Sequence, residues 1–426
     1  MRNKSTIITL CILVLALPSL ASAWTISELQ NTAASQRYLV REYQAAMHEQ
    51  QQGVRYQRGE FMPSVNVFYQ AQNRRDETLL EPEEYHSRGI QLTWNLFNGF
   101  GDYYRLLSKK QQHQVAHWQL KEIQQTVQEQ VAQTCLQIKQ QLQNLEVARH
   151  AVELYEQERH NAQAKFDVGL LTRNDVLRIE VELENARLDV NTAETAIRQQ
   201  IAQLQRQTLT AVTLDTLNLD ELAQLPQLAG QQALQEQLLS ANRELLALRH
   251  VIESASLAHK ATGDRYLPRA DLVSELSRHE NDYWFDEGDE RDEELTTQLQ
   301  LSLNLFDGFK DDANRKQAQL ATDRANFNYQ EREHELVTQL DNLRRDFLLA
   351  YDNLKVAQTN SEQARENLRI TRLSFDQGLT TSAELLDAIF YQTRADLNII
   401  NARTTIYSAY FTIQHLIGAF ADTTIQ

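Results

Sequence analysis

Residues 95–104 read NLFNGFGDYY, and residues 304–313 read NLFDGFKDDA. The word Asn-Leu-Phe-Asx-Gly-Phe thus returns after 209 positions. FDVGL at 166–170 returns as FDQGL at 375–379 with the same shift. Upstream, FMPSVNV at 61–67 resembles YLPRADL at 266–272, shifted by 205. An ordered set of words written twice means one structural unit used twice. The units are residues 24–212 and 231–426, joined by a linker at 213–230.

Each unit has the same order of parts. A helical stretch opens it, at 25–58 and at 232–262. Two alternating segments follow, predicting β-hairpins over 63–97 and 268–306. Then come stretches without Gly or Pro, 102–168 and 309–377, each ended by a Gly turn and a returning helix. These predict helical hairpins over 102–208 and 309–417, with a short tail behind the second. Nothing in the long stretches breaks a helix. Leu336, Leu340, Leu343, Phe347, Ala350, Leu354 and Ala357 alternate spacings of four and three, the coiled-coil period. In the first unit Cys135, Ile138, Leu142 and Leu145 overlap a second seam of Val131, Ala148 and Val152. Two seams suit a helix with neighbours on both sides.

The alternating segments have one apolar and one polar face. In TQLQLSLNLF (297–306) four leucines alternate with Gln298, Gln300, Ser302 and Asn304. In RGIQLTWNLF (88–97) Ile90, Leu92, Trp94 and Leu96 alternate with polar residues. About ten residues at period two is the pattern of a transmembrane β-strand. Phe97, Phe100, Phe306 and Phe309 sit at the strand ends. Four strands cannot close a barrel, and an open edge is not tolerated in lipid. Three copies would supply twelve strands and a hollow cylinder of twelve helical columns.

The remaining composition fits export. Residues 1–23 carry Arg2 and Lys4, an apolar core of about 11 residues and Ala21-Ser22-Ala23, which predicts a signal peptide. Cys11 lies inside that core, so Cys135 is the only cysteine left after cleavage and no intrachain disulfide is expected. The chain has 12 Gly and 5 Pro in 426 residues, the economy of long helices. Its net charge of −16 becomes −18 when Arg2 and Lys4 are removed, which disfavours nucleic acid as a partner. No nucleophile–base pair, phosphate loop or cysteine cluster is present, so no catalysis and no cofactor are expected. His113 and His117 share a helix face, but no third metal ligand accompanies them.

The duplicated set resembles the TolC family of outer-membrane factors. The resembling parts are Leu267-Pro268 before a first strand, NLFxG at the strand-to-helix junctions (Gly99, Gly308), and FDxGL at the hairpin tips. The resemblance covers essentially the whole mature chain. It implies a homotrimer with a 12-stranded barrel in the outer membrane of a Gram-negative bacterium and a helical tunnel in the periplasm. It implies an exit duct of a tripartite efflux pump or type I secretion system. The partners implied are a periplasmic adaptor and an inner-membrane transporter of ABC, RND or MFS type. Gly169, Leu170, Gly378 and Leu379 would then meet the adaptor. Asp175, Glu384 and Asp387 would line the closed periplasmic entrance. One departure concerns the closing bonds: family members with an Arg two residues after the second-tip Gly differ from this chain, which has Thr380, and Arg173 is the candidate substitute.

At the tips, Thr172 or Asn174 and Thr381 or Ser382 are predicted to cap the returning helices. The segment HENDYWFDEGDERDEE (279–294) reads as a solvated acidic loop. The alternative to a duct is an exported coiled-coil spacer or adhesin stalk, which accounts for the heptads but not for the strands.

Overall fold

A computed structural model describes residues 23–73, 84–280 and 292–420. The expected signal peptide up to residue 22, most of both strand-joining loops and the last six residues lie outside the described residues.

Four strands form one antiparallel sheet in the order β1-β2-β3-β4: β1 (Ser64–Asn73), β2 (Glu84–Asn98), β3 (Arg269–Glu280) and β4 (Asp292–Ser302). Hairpins β1–β2 and β3–β4 belong to separate halves, and β2–β3 joins them. Val67, Ile90, Leu276 and Leu295 are paired in register across all four strands. The adjacent row is Asn66, Gln91, Glu275 and Thr296, and Gln91 donates to Glu275 at 3.0 Å. Because side chains alternate between faces, one face is apolar and the other polar. A bulge inserts Leu96 between Asn95 and Phe97.

The fourth strand corrects the sequence expectation. Alternation continues through Leu305, yet β4 stops at Ser302. Its neighbour β3 begins at Arg269, opposite Ser302, just after Pro268. Proline has no N–H to donate, so the ladder on that side ends there.

The opening stretches are also corrected. Each is two helices: α1 (Ile26–Gln36) with α2 (Tyr38–Gly59), and later α5 (Gln231–Ala241) with α6 (Arg243–Ala261). The breaks fall at Arg37 and Asn242, both in extended backbone with ψ 136° and 123°. Asn242 accepts from the Leu245 N–H at 2.9 Å and donates to the Leu416 carbonyl at 2.9 Å. This capping bond competes with helix continuation.

Between these parts run α3 (Gly101–Asp167) and α4 (Arg173–Thr208) in the first half, and α7 (Lys310–Asp376) and α8 (Ser382–Leu416) in the second. The 67 residues of α3 and of α7 reach roughly 100 Å at 1.5 Å each. The α7 seam is buried as the heptad requires, except Leu343, which is partly buried, and it runs on through Ser361, Ala364 and Leu368 to Phe375. The linker is packed, not free: Tyr407 and Tyr351 each donate to it at 2.5 Å, on the carbonyls of Gln224 and Pro226. Among the described residues no helix is long and apolar enough to cross a membrane.

The junction words now have a local cause. Gly99 and Phe100 both take left-handed backbone (φ 65° and 66°), as do Gly308 and Phe309 (φ 75° and 65°). Two such residues in sequence turn the strand into the helix. For a non-glycine residue this conformation costs about 1–2 kcal/mol. An edge-to-face ring pair accompanies it each time, Phe97–Phe100 at 5.2 Å and Phe306–Phe309 at 5.3 Å. The Asx residue of the word accepts from the first helical turn: Asn98 from the Asp102 N–H at 3.3 Å, Asp307 from the Asp311 N–H at 2.8 Å. Gly99 cannot carry a side chain, since a Cβ would meet the Asp264 carbonyl at 2.6 Å.

Candidate functional site

The site is the end of the molecule farthest along the chain from the sheet, where both helical hairpins turn. Each tip closes with a Schellman motif. Gly169 (φ 80°) and Gly378 (φ 71°) donate to Phe166 and Phe375, and Leu170 and Leu379 donate to Lys165 and Ser374 at 2.8 Å. The turn lifts the two leucines off the helices, and they are 75% and 81% exposed.

The caps are Thr172 and Thr381, not Asn174 or Ser382. Each forms a capping box with the acid three residues on, Asp175 or Glu384. Asp175 and Glu384 are therefore the same position of the duplicated unit. They differ in what else they touch. Asp175 also receives the Ser382 hydroxyl at 2.5 Å, a bond from the second tip to the first. Ser382, then Thr172, hold the Asp175 carboxyl below the usual aspartate range. Glu384 is exposed and reaches only the Thr381 N–H, at 3.4 Å; Asp387 is exposed one turn further along α8.

Within the single chain Arg173 does not tie the first tip to the second. It lies 3.9 Å from Glu180 on its own helix. Sequence reasoning missed the side chains that do tie the two hairpins. Lys165 donates to the Phe375 carbonyl at 3.1 Å, pairs with Asp376 at 3.3 Å, and sits 4.1 Å from the Phe375 ring. Arg372 of α7 meets Glu158 of α3 at 2.7 Å. One apolar cluster joins all four hairpin helices behind these ties, with Leu183, Leu385 and Ile389 fully buried. Burying one such side chain is worth about 1.5–3 kcal/mol.

Further from the tips, His415 of α8 is clamped between two carboxylates of α3. Its Nδ1 is 2.6 Å from Glu129 and its Nε2 2.8 Å from Glu122. Carboxylates only accept, so both ring nitrogens donate and the ring is an imidazolium. Burial opposes that charge, but the bonds to Glu122 and Glu129 prevail and raise the imidazole to about 9. Among the described residues no group of three or more His, Cys, Asp or Glu is arranged to hold a metal.

A sheet with one apolar and one polar face, continuous with helices of this length, is the architecture of the outer membrane efflux proteins. The sequence model of the outer membrane efflux protein family matches residues 29–208 and 234–419, and the chain belongs to that family, located in the Gram-negative outer membrane. A curated relative, the alkaline protease secretion protein AprF of Pseudomonas aeruginosa, is 23% identical over 274 residues. That alignment covers 62% of this chain and 53% of the relative, so the chain spans about half the length of the curated relative it matches. The Campylobacter jejuni outer membrane channel CmeC superposes with a TM-score of 0.78 at 14% identity, covering 94% of this chain and 87% of CmeC. VceC of Vibrio cholerae gives 0.78 at 13%, covering 92% and 96%.

Proposed function

We propose that this chain is the exit duct of a tripartite export system, working as a trimer and gated at its hairpin tips. The observation that carries the reading is the sheet register. A row of four apolar residues and an adjacent row of four polar ones give a lipid face and a water face. The helices then extend the water-filled path roughly 100 Å away from the bilayer. Trimer closure supplies the missing strands. A periplasmic adaptor engages the exposed Leu170 and Leu379 knobs beside Gly169 and Gly378, and an inner-membrane transporter supplies the energy.

In the closed state the two hairpins of a chain are held together by Asp175–Ser382, Lys165–Asp376 and Glu158–Arg372. Opening parts them. Glu384 and Asp387, repeated three times, form a ring of carboxylates that attracts cations. Planar-bilayer recording tests both parts. Purified assemblies are expected to carry current, and the double variant Glu384→Gln/Asp387→Asn is expected to lose cation preference. Absence of current sinks the duct; unchanged selectivity sinks the ring. AprF is named for protease secretion, which motivates assaying secreted proteins beside drug sensitivity in a deletion strain.

A further inference from the structure

A pocket of about 260 Å³ opens at mid-length of the helices, between α3, α8 and the linker. Lys139 and Gln143 line it from α3, Arg403 from α8, and Leu222 and Ala223 from the linker. The chain carries 58 acidic residues against 42 basic ones. Yet this lining holds two cations and, among the described residues, no carboxylate.

Basic residues elsewhere on these helices find an acid within one turn. Arg187 meets Glu184, Arg332 meets Glu335 and Arg369 meets Glu366, each at 2.8 Å. No residue three or four positions from Lys139 or from Arg403 is acidic. Among the described residues neither side chain makes a hydrogen bond or ion pair, and the Arg403 Nε is sealed from solvent without an acceptor. Glu221, in the linker beside the lining, accepts from the Ser27 hydroxyl at 3.3 Å instead. A sealed donor without an acceptor is a feature that packing alone does not account for.

The duplicated architecture does not require these cations either. The matching positions, 209 residues away, are Leu348 and Glu194, and Glu194 pairs with Arg149 at 2.9 Å. Tyr407 and Thr404 also line the pocket, but they give their hydroxyl protons to the Gln224 and Ile400 carbonyls. The donors left for a ligand are chiefly those of Lys139, Arg403 and Gln143.

We propose that this pocket binds a carboxylate group. A guanidinium holds both oxygens of a carboxylate through parallel N–H bonds, and an ammonium adds a point charge beside it. The bound group bridges a cation of α3 to a cation of α8, and so joins the two halves of the chain at mid-length. Lys139 lies 38 residues beyond Gly101, the start of α3. At 1.5 Å per residue that is roughly 57 Å from the sheet, out of reach of lipid headgroups around it. The carboxylate therefore comes from a small dissolved acid or from the side chain of a protein lying against the helices.

Acylation of lysines by an N-hydroxysuccinimide ester, read by mass spectrometry on the purified full-length assembly, tests this with glutarate as the probe. Chloride holds the ionic strength constant. Glutarate is expected to slow labelling of Lys139 several-fold and saturably, and to leave the exposed Lys355 unaffected. Arg403→Gln is expected to abolish that protection, and Arg403→Lys to restore part of it. Unprotected Lys139 in the parent, a result that needs no variant, overturns the proposal, as does equal protection in Arg403→Gln. Stronger protection by inorganic phosphate than by glutarate overturns the choice of carboxylate. Outer-membrane fragments separate the two sources. Protection lost on dialysis identifies a dissolved acid, whereas protection that survives dialysis and is lost in a salt wash identifies a protein-borne carboxylate. Fragments without protection before either step overturn a resident ligand.

Discussion

Arg372 reaches from α7 to the carboxylate of Glu158 on α3 at 2.7 Å, and the Glu158 side chain is 1% exposed. The two residues come from different halves of the chain. Removing one partner of a buried ion pair strands the other and costs about 3–5 kcal/mol. Arg372→Ala is therefore expected to open the tips more than Glu158→Gln, because the arginine, 32% exposed, can turn to solvent. Spontaneous open-channel current, and entry of a large hydrophilic antibiotic into cells, measure this. Equal currents from both variants and the parent would remove the pair from the gate.

His415 sets an upper pH limit on the join between α3 and α8. Its value of about 9 lies above the ordinary 6.5. The stabilisation is fully present below 6.5 and is lost as pH rises through 9. Heat resistance of the detergent-solubilised assembly is expected to hold at neutral pH and to fall at pH 10. His415→Gln should be less heat-resistant at neutral pH and should show a smaller further drop at pH 10. A variant with the parent's pH profile contradicts the clamp.

Asp175 acts with the opposite sign. Its carboxyl is held below the ordinary 3.8, so its contribution is present above that value and lost only as pH falls through the lowered one. Between pH 5 and 8 the Asp175–Ser382 tie is expected to leave conductance constant. Ser382→Ala is expected to raise the basal current modestly over that whole range. A titration of the parent's current near pH 6 would have to come from another group.

The breaks at Arg37 and Asn242 separate in the same kind of test. Asn242→Ala loses a capping bond and leaves the Leu416 carbonyl without its donor, an effect of about 1–2 kcal/mol. Arg37 makes no side-chain cap, and among the described residues its side chain hydrogen-bonds Gln130 at 2.6 Å. Thermal dissociation is expected to start at a lower temperature for Asn242→Ala than for Arg37→Ala.

The fold was legible wherever a local rule acts. Gly169 and Gly378 announce the tips, and the polar residues after them announce a cap, while the choice of Thr172 over Asn174 and of Thr381 over Ser382 comes from the structure. Alternation announces the strands. What stayed hidden depends on distant partners. Nothing in residues 297–306 says that β3 begins after a proline and leaves 303–306 unpaired. Lys165 and Arg372 read as ordinary helix-surface charges because their partners lie more than 200 positions away in sequence. Asn242 did carry a signal, since a residue suited to capping sits 205 positions after Arg37, at the same point of the unit.

The short β4 has a consequence for how the protein reaches its destination. A lone chain carries an unfinished strand on one side and a bare β1 on the other, both with apolar rows. Such edges join any strand they meet. On the trimeric reading proposed above, newly exported chains are therefore expected to need escort until their edges pair. Overproduction beyond the supply of escorts is expected to yield aggregates, while the helical portions alone remain well formed.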